Sequence, residues 1–257
     1  MIRVEQLAKS YGSTDALRGI SFEIARGEIV GYIGPNGAGK STTVKILTGI
    51  IAPDSGRALV DGIDVAAEPE RVKAMIGYVP ETGGVFEALS AREFLRFAGR
   101  LRGMPDALID ARGDLLLAYF DLATVADTMM TTYSKGMRQK VVIASALLHD
   151  PMVYYFDEPL DGLDAQTTQL FKELIRSLAE RGRTILYCSH LLDIVERVCT
   201  RMIVLRDGAI AAQGSIGELR ARTSQQTLEE AFSILTESED ASHKTSRLLD
   251  DFAHIPT

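Results

Sequence analysis

The stretch GPNGAGKST at residues 34–42 holds three glycines, no acidic residue, and a lysine followed by hydroxyls. Its first eight residues fit G-x-x-x-x-G-K-[ST]. They lie between EIVGYIG, which reads as a strand, and KSTTVKILTGI, whose apolar residues recur at helical spacing. A polyphosphate needs many donors at short range, and backbone N–H groups supply them only where side chains leave room. That is the work of Gly34, Gly37 and Gly39, with Pro35, Asn36, Ala38 and Thr42 completing the cradle. Lys40 is placed to reach the β and γ phosphates and Ser41 to ligate Mg²⁺, while the helix amino terminus adds a favourable dipole. A ligand-free glycine turn is the competing reading, and the strand–loop–helix context disfavours it.

The 257 residues suffice for one large α/β domain or two small ones, and 46% apolar content supplies a sizeable core. A formal net charge of −7 argues against broad electrostatic capture of nucleic acid or of an anionic membrane surface. Cys188 and Cys199 lack any CxxC or zinc-ligand spacing and read as buried thiols of a reducing compartment. The opening MIRVEQLAKSYG lacks the apolar core of a signal peptide, and no apolar run reaches the roughly 18 residues of a membrane span. Work at a membrane would require a partner's helices.

Upstream of the loop, IRVEQL and ISFEI read as two further strands, set off by turn signals at Gly12-Ser13 and Arg26-Gly27. Downstream, PDSG turns into the strand RALV and the hairpin signal Asp61-Gly62. Residues 92–148 carry helical periodicity without strands. Strands return at MVYYFDEP, RTILYCSH and RMIVLRDG, alternating with the helical patterns AQTTQLFKELIRSLAERG and LLDIVERVC, as a parallel sheet requires. Asp207-Gly208 then signals a hairpin. In TLEEAFSIL, Leu228, Ala231, Phe232 and Leu235 share one helix face able to dock on the main body, and RLLDDF near the end reads as a short partner-binding helix.

MVYYFDEP ends in adjacent carboxylates where open sheets place their sites. Asp157 suits a direct or outer-sphere Mg²⁺ partner and Glu158 a general base, against the alternative of a simple acidic turn. Tyr154 and Tyr155 are unusual in a buried strand, where each hydroxyl must find a partner. No NKxD element is present, which disfavours a small GTPase. In YSKGMRQK, Ser134 is a good helix cap.

The glycine loop, SKGMRQ, FDEP, LDGLD and CSH, in this order, resemble the ATP-binding subunit of ABC transporters over about residues 2–215. The resemblance implies an α/β fold: a RecA-like P-loop NTPase core with a mostly parallel sheet, an antiparallel β subdomain and an inserted α-helical signature subdomain. Residues 1–222 would form the ATP-binding domain, with the helical part at about 90–148, and 223–257 a helical or flexible tail. It also implies ATP and Mg²⁺ in a composite site shared by two subunits, as a homodimer or a heterodimer. There Ser134 and Gly136 of one subunit would meet the γ phosphate held by the other.

Tyr133, Lys135 and Met137 depart from the common LSGGQ, in a form similar to one exporter subgroup. Lys135 reads equally as a charge near the phosphates or as a solvated side chain. His190, ending RTILYCSH, matches the family's switch histidine. Asp164 matches the loop crossing the dimer interface, with Asp161 a helix-entry acid. Tyr11, just after the first strand, matches the residue that stacks on adenine, against the alternative of strand-end packing. Glu81 stands where many relatives have a metal-touching glutamine. It keeps an oxygen for Mg²⁺ but adds a negative charge beside ATP. The stretch GGVFEALSAREFL resembles the contact with a permease's coupling helix.

The function so implied is an ATPase at the cytoplasmic face of the membrane, driving export through a separate permease. Import is one alternative. Another is a non-transport ABC ATPase acting on ribosomes or DNA, whose usual coiled-coil insertion and basic surface do not show here, so no nucleic-acid partner is expected. Glu158 argues against a binding-only subunit.

Overall fold

The computed structural model describes residues 2–236. Strand β1 (Ile2–Tyr11) turns at Gly12 and Ser13 into β2 (Thr14–Ile24), antiparallel from Ile2 opposite Ile24 to Tyr11 opposite Thr14. Strand β3 (Ile29–Ile33) leads through the glycine loop into helix α1 (Lys40–Leu47). β4 (Ser55–Val60) and the short β5 (Ile63–Asp64) join the first hairpin in an antiparallel sheet of order β2-β1-β4-β5. Helix α2 (Pro69–Met75) and strand β6 (Ile76–Val79) follow.

Three helices come next: α3 (Ala91–Leu101), α4 (Asp106–Tyr119) and α5 (Lys135–Leu147). The chain then alternates β7 (Val153–Asp157), α6 (Ala165–Glu180), β8 (Thr184–Cys188), α7 (Leu192–Val198) and β9 (Arg201–Arg206). Strand β10 (Ala209–Gly214) and helices α8 (Ile216–Thr223) and α9 (Leu228–Thr236) end the described part. The second sheet has order β10-β9-β3-β8-β7-β6, and only its β9–β10 hairpin is antiparallel.

Period-two alternation in the central strands builds two cores, one on each face of this sheet. On β7 and β8, Tyr154, Phe156, Ile185 and Tyr187 face the layer that includes α5, α6 and α7, whereas Tyr155, Leu186 and Cys188 face α1 and the antiparallel sheet. Tyr154 stacks on Phe156 with centroids 5.5 Å apart, and Phe156 meets Phe171 edge-on at 5.1 Å. The sequence argument that each strand tyrosine must find a hydroxyl partner fails at Tyr155, whose buried Oη has none among the described residues. Both cysteines are free and buried.

Helices α3 and α4 pack through Phe94, Leu95, Ile109 and Leu117. Along their solvent edge runs an antiparallel ladder of Arg92 with Asp114, Arg96 with Asp110 at 2.6 Å, and Arg100 with Asp106 at 2.7 Å. These pairs are largely exposed, so the apolar seam supplies most of the cohesion. Ser90 and Glu93 form a capping box that fixes where α3 begins. Helix α9 buries Leu228 and Ala231 and rests Phe232 and Leu235 on the larger core, so the apolar face read from the sequence does dock. The segment RLLDDF lies outside the described residues.

Two elements escape the sequence reading. Helix α2 starts at Pro69, whose fixed φ suits a first helical turn, and β6 is only four residues long, too short to show a period. Strand β1 also runs four residues past IRVEQL, which makes Tyr11 its last residue rather than the first of a turn.

Candidate functional site

The carboxyl ends of β3, β8, β7 and β6 lie side by side, with Tyr32 level with Cys188, Cys188 with Asp157, and Phe156 with Val79. At this edge opens a cleft of about 760 Å³, into which Tyr11, Asn36, Gly37, Gly39, Lys40, Ser41, Thr42, Glu81, Asp157, Glu158 and His190 all reach. Five separate stretches of chain thus meet at one place, as open α/β sheets favour.

The glycine loop reverses direction with Gly37 at φ 82° and Gly39 at φ 106°, conformations that side-chain-bearing residues rarely adopt. At Gly39 a Cβ would also come within 2.5 Å of the Ala16 carbonyl on β2. Gly34 and Ala38 are buried beneath the loop and Pro35 is exposed beside it, so these three shape the cradle without lining the cleft. Lys40 Nζ donates to the carbonyls of Gly34 at 2.6 Å and Pro35 at 3.1 Å, spanning the loop it follows. No acid occupies the first turn of α1, so its amino-terminal N–H groups favour an anion.

Asp157 is 3% exposed. Burial pushes its carboxyl up to about 6, Glu81 and Glu158 add to the rise by like charge, and Lys40 and Ser41 oppose it. Glu158 takes φ 48°, a left-handed conformation costing about 1–3 kcal/mol for a residue with a side chain. That turn lets its N–H donate to the Cys188 carbonyl at 2.9 Å while the carboxylate looks into the cleft. Ser189 Oγ donates to Glu158 Oε2 at 3.1 Å, and His190 Nδ1 lies 3.0 Å from Oε1. Strand β8 ends at Cys188, so His190 sits two residues beyond the strand, with its side chain 71% exposed.

Ser134, Gly136 and Asp164 do not reach this cleft. Ser134 caps α5 by accepting from Met137 N at 3.2 Å. Asp164 is itself the helix-entry acid, capping α6 through Thr167 N and Thr167 Oγ1, both at 2.8 Å. The sequence reading gave that task to Asp161. Asp161 instead pairs with Lys135 Nζ at 2.6 Å, and the Lys135 side chain stays largely exposed and does not line the cleft of its own chain.

Gly136 serves a contact within the chain, because a Cβ there would sit 2.5 Å from the Gly162 carbonyl. Gly136→Ala is therefore expected to lower stability by about 1–3 kcal/mol, because backbone must move to admit the methyl. Urea unfolding reads this directly, and an unchanged midpoint would show that the loop yields without cost.

Two residues of the site were not singled out in the sequence. Ser189 had a legible signal, a hydroxyl between a buried strand and His190. Ala16 had none, because only the pairing of β1 with β2 and the loop crossing above bring it to the cleft.

The model of the ABC transporter family matches residues 17–161 of the chain. The chain is 35% identical over 228 residues to the linearmycin resistance ATP-binding protein LnrL of Bacillus subtilis (strain 168), covering 89% of this chain and 73% of that protein. It is 38% identical over 220 residues to the Nod factor export ATP-binding protein I of Paraburkholderia xenovorans (strain LB400), covering 86% and 72%. A solved structure described as the ATP binding subunit of an ABC transporter superimposes with a TM-score of 0.86 at 33% identity, over 91% of this chain and 99% of the other. A dimeric, post-hydrolysis ATP-binding cassette bound to ADP and Pi superimposes with a TM-score of 0.75 at 26% identity, over 84% and 98%.

Proposed function

We propose, since the chain belongs to the ABC transporter family as an ATP-hydrolysing subunit of the exporter type, that its cleft is one half of an ATP site completed by a second subunit. The observation that carries this reading is the division of the motif residues. The glycine loop, Asp157, Glu158 and His190 share one cleft, while Ser134, Gly136 and Asp164 stand outside it on the same chain. A helix amino terminus that cannot reach its own cleft suits the triphosphate bound by another copy. The second subunit is either a copy of this chain or a close relative.

On this proposal the N–H groups of residues 34–42 and Lys40 hold the β and γ phosphates, and Tyr11, 50% exposed at the cleft, stacks on adenine. Glu158 takes a proton from the attacking water and His190 orients that water or the γ phosphate. Asp164 positions the loop that crosses to the second subunit. Ser41, Asp157 and Glu81 offer hard oxygen donors around one corner of the cleft, a set that fits Mg²⁺ once phosphate oxygens and water complete it. Magnesium so held would neutralise charge on the β and γ phosphates. Residues 1–222 are assigned to the ATP-binding domain, with its helical part at about 90–148, and 223–257 to an appended tail.

None of the described helices is long and apolar enough to cross a membrane. On this proposal a separate permease supplies the passage, and this subunit sits on it at the cytoplasmic face. Relatives named for export and resistance favour export over import or over work on ribosomes or DNA. The docking surface lies at Phe86, 58% exposed and edge-on to both Phe94 and Phe97. Phe86→Asp is expected to weaken capture of a co-expressed export permease by about thirtyfold, the scale of an aromatic hot spot. A detergent pull-down titration measures this. Undiminished capture would move the permease contact elsewhere.

A further inference from the structure

We propose that Glu81 makes nucleotide binding by this chain conditional on a divalent cation, so that MgATP is admitted and metal-free ATP is turned away. The proposal rests on reading the cleft as the ATP site and adds to it a rule about which ionic form of the nucleotide can enter.

The physical basis is the charge of the lining. Among the side chains that line the cleft, Lys40 is the one lysine or arginine, and it faces three carboxylates, those of Glu81, Asp157 and Glu158. With His190 neutral, two negative charges remain in excess. The amino terminus of α1 offsets about half a charge and the loop N–H groups add partial positive charge, but neither removes the imbalance. A tetra-anionic nucleotide therefore meets net repulsion, whereas a divalent cation arriving with it cancels the excess.

Topology shows why Glu81 is the residue that tips the balance. Val79 is level with Phe156 at the end of the β6–β7 pair, and Glu81, two positions beyond, lines the cleft with Asp157 and Glu158 and repels the Asp157 carboxylate by like charge. Asp157 is fixed at the end of its strand, and Glu158 is tied to Ser189 and His190. Glu81 is the exposed carboxylate of the three and has no hydrogen bond or ion pair to a basic side chain among the described contacts. An amide at position 81 would keep an oxygen for the metal and remove one charge.

Equilibrium binding of ATP by calorimetry, with excess Mg²⁺ or with EDTA, tests this on the whole chain. The parent is expected to bind ATP at least tenfold more weakly in EDTA than with Mg²⁺. Glu81→Gln should narrow that ratio by about tenfold through tighter metal-free binding, the scale of one carboxylate acting across several ångströms in a partly solvated cleft. Glu81→Asp should keep the parent's ratio, and raising the salt should shrink it in the parent more than in Glu81→Gln. A ratio equal in the parent and Glu81→Gln, or parent binding indifferent to EDTA, overturns the proposal. A parent that fails to bind ATP even with Mg²⁺ would overturn the reading of the cleft itself, which keeps the two failures distinct.

Discussion

A Glu158→Gln variant is expected to hydrolyse ATP about 10²- to 10⁴-fold more slowly than the parent, the range a positioned general base contributes, and to accumulate as an ATP-bound dimer. The substitution is nearly isosteric. Its amide oxygen still accepts from Ser189 Oγ, and its backbone keeps the N–H bond to Cys188, so the left-handed turn at φ 48° survives. What disappears is a carboxylate able to take a proton 3.0 Å from His190 Nδ1. Binding groups on the loop and α1 are untouched, so affinity should hold while the chemical step stalls. Phosphate release measures the first effect, and gel filtration with MgATP the second. Turnover within about threefold of the parent would place the base elsewhere, with His190 the next candidate. A monomer under trapping conditions would count against the shared site.

How much of this was legible in the sequence depends on whether a feature is local. The strand, the loop and α1 are contiguous, so phosphate-binding geometry is encoded by spacing alone and could be read at residues 28–47. Asp157 with Glu158 was similarly plain, because an apolar strand ending in two acids implies its own position in a parallel sheet. The Asp164 cap on α6 is local, three residues from Thr167, and the misreading there was only of which acid opens the helix. The pairing of Lys135 with Asp161 was not readable, because it depends on the loop after β7 folding back onto the start of α5, a contact between positions 26 residues apart. Gly136 shows the same limit. Its need for a bare Cα comes from the Gly162 carbonyl as well as from any anion. Pattern alone offered a ligand role and could not reveal the packing one.

Replacing Lys40 by Ala is expected to reduce ATP affinity by about 10²-fold or more. A charge pair about 4 Å apart at an effective dielectric of about 20 is worth about 4 kcal/mol, and even half of that after desolvation approaches this loss. Lys40 is the one lysine or arginine lining the cleft, so its removal leaves Glu81, Asp157 and Glu158 facing the triphosphate without a side-chain counter-charge. The same side chain donates to the carbonyls of Gly34 and Pro35, so part of the loss could come from a slackened loop. Thermal melts of Lys40→Ala and Lys40→Met separate the two causes, because neither Ala nor Met can donate to those carbonyls and a slackened loop would lower the melting temperature of both, while Met keeps the side-chain volume. If electrostatics dominates, Met and Ala weaken calorimetric binding alike, and thermal melts of both stay near the parent's. Addition of Glu81→Gln to Lys40→Ala should then recover part of the affinity, because it withdraws one of the anions that the missing ammonium had balanced. Binding unchanged in Lys40→Ala would instead leave the triphosphate held by backbone N–H groups alone, and the charge argument for the cleft would fall with it.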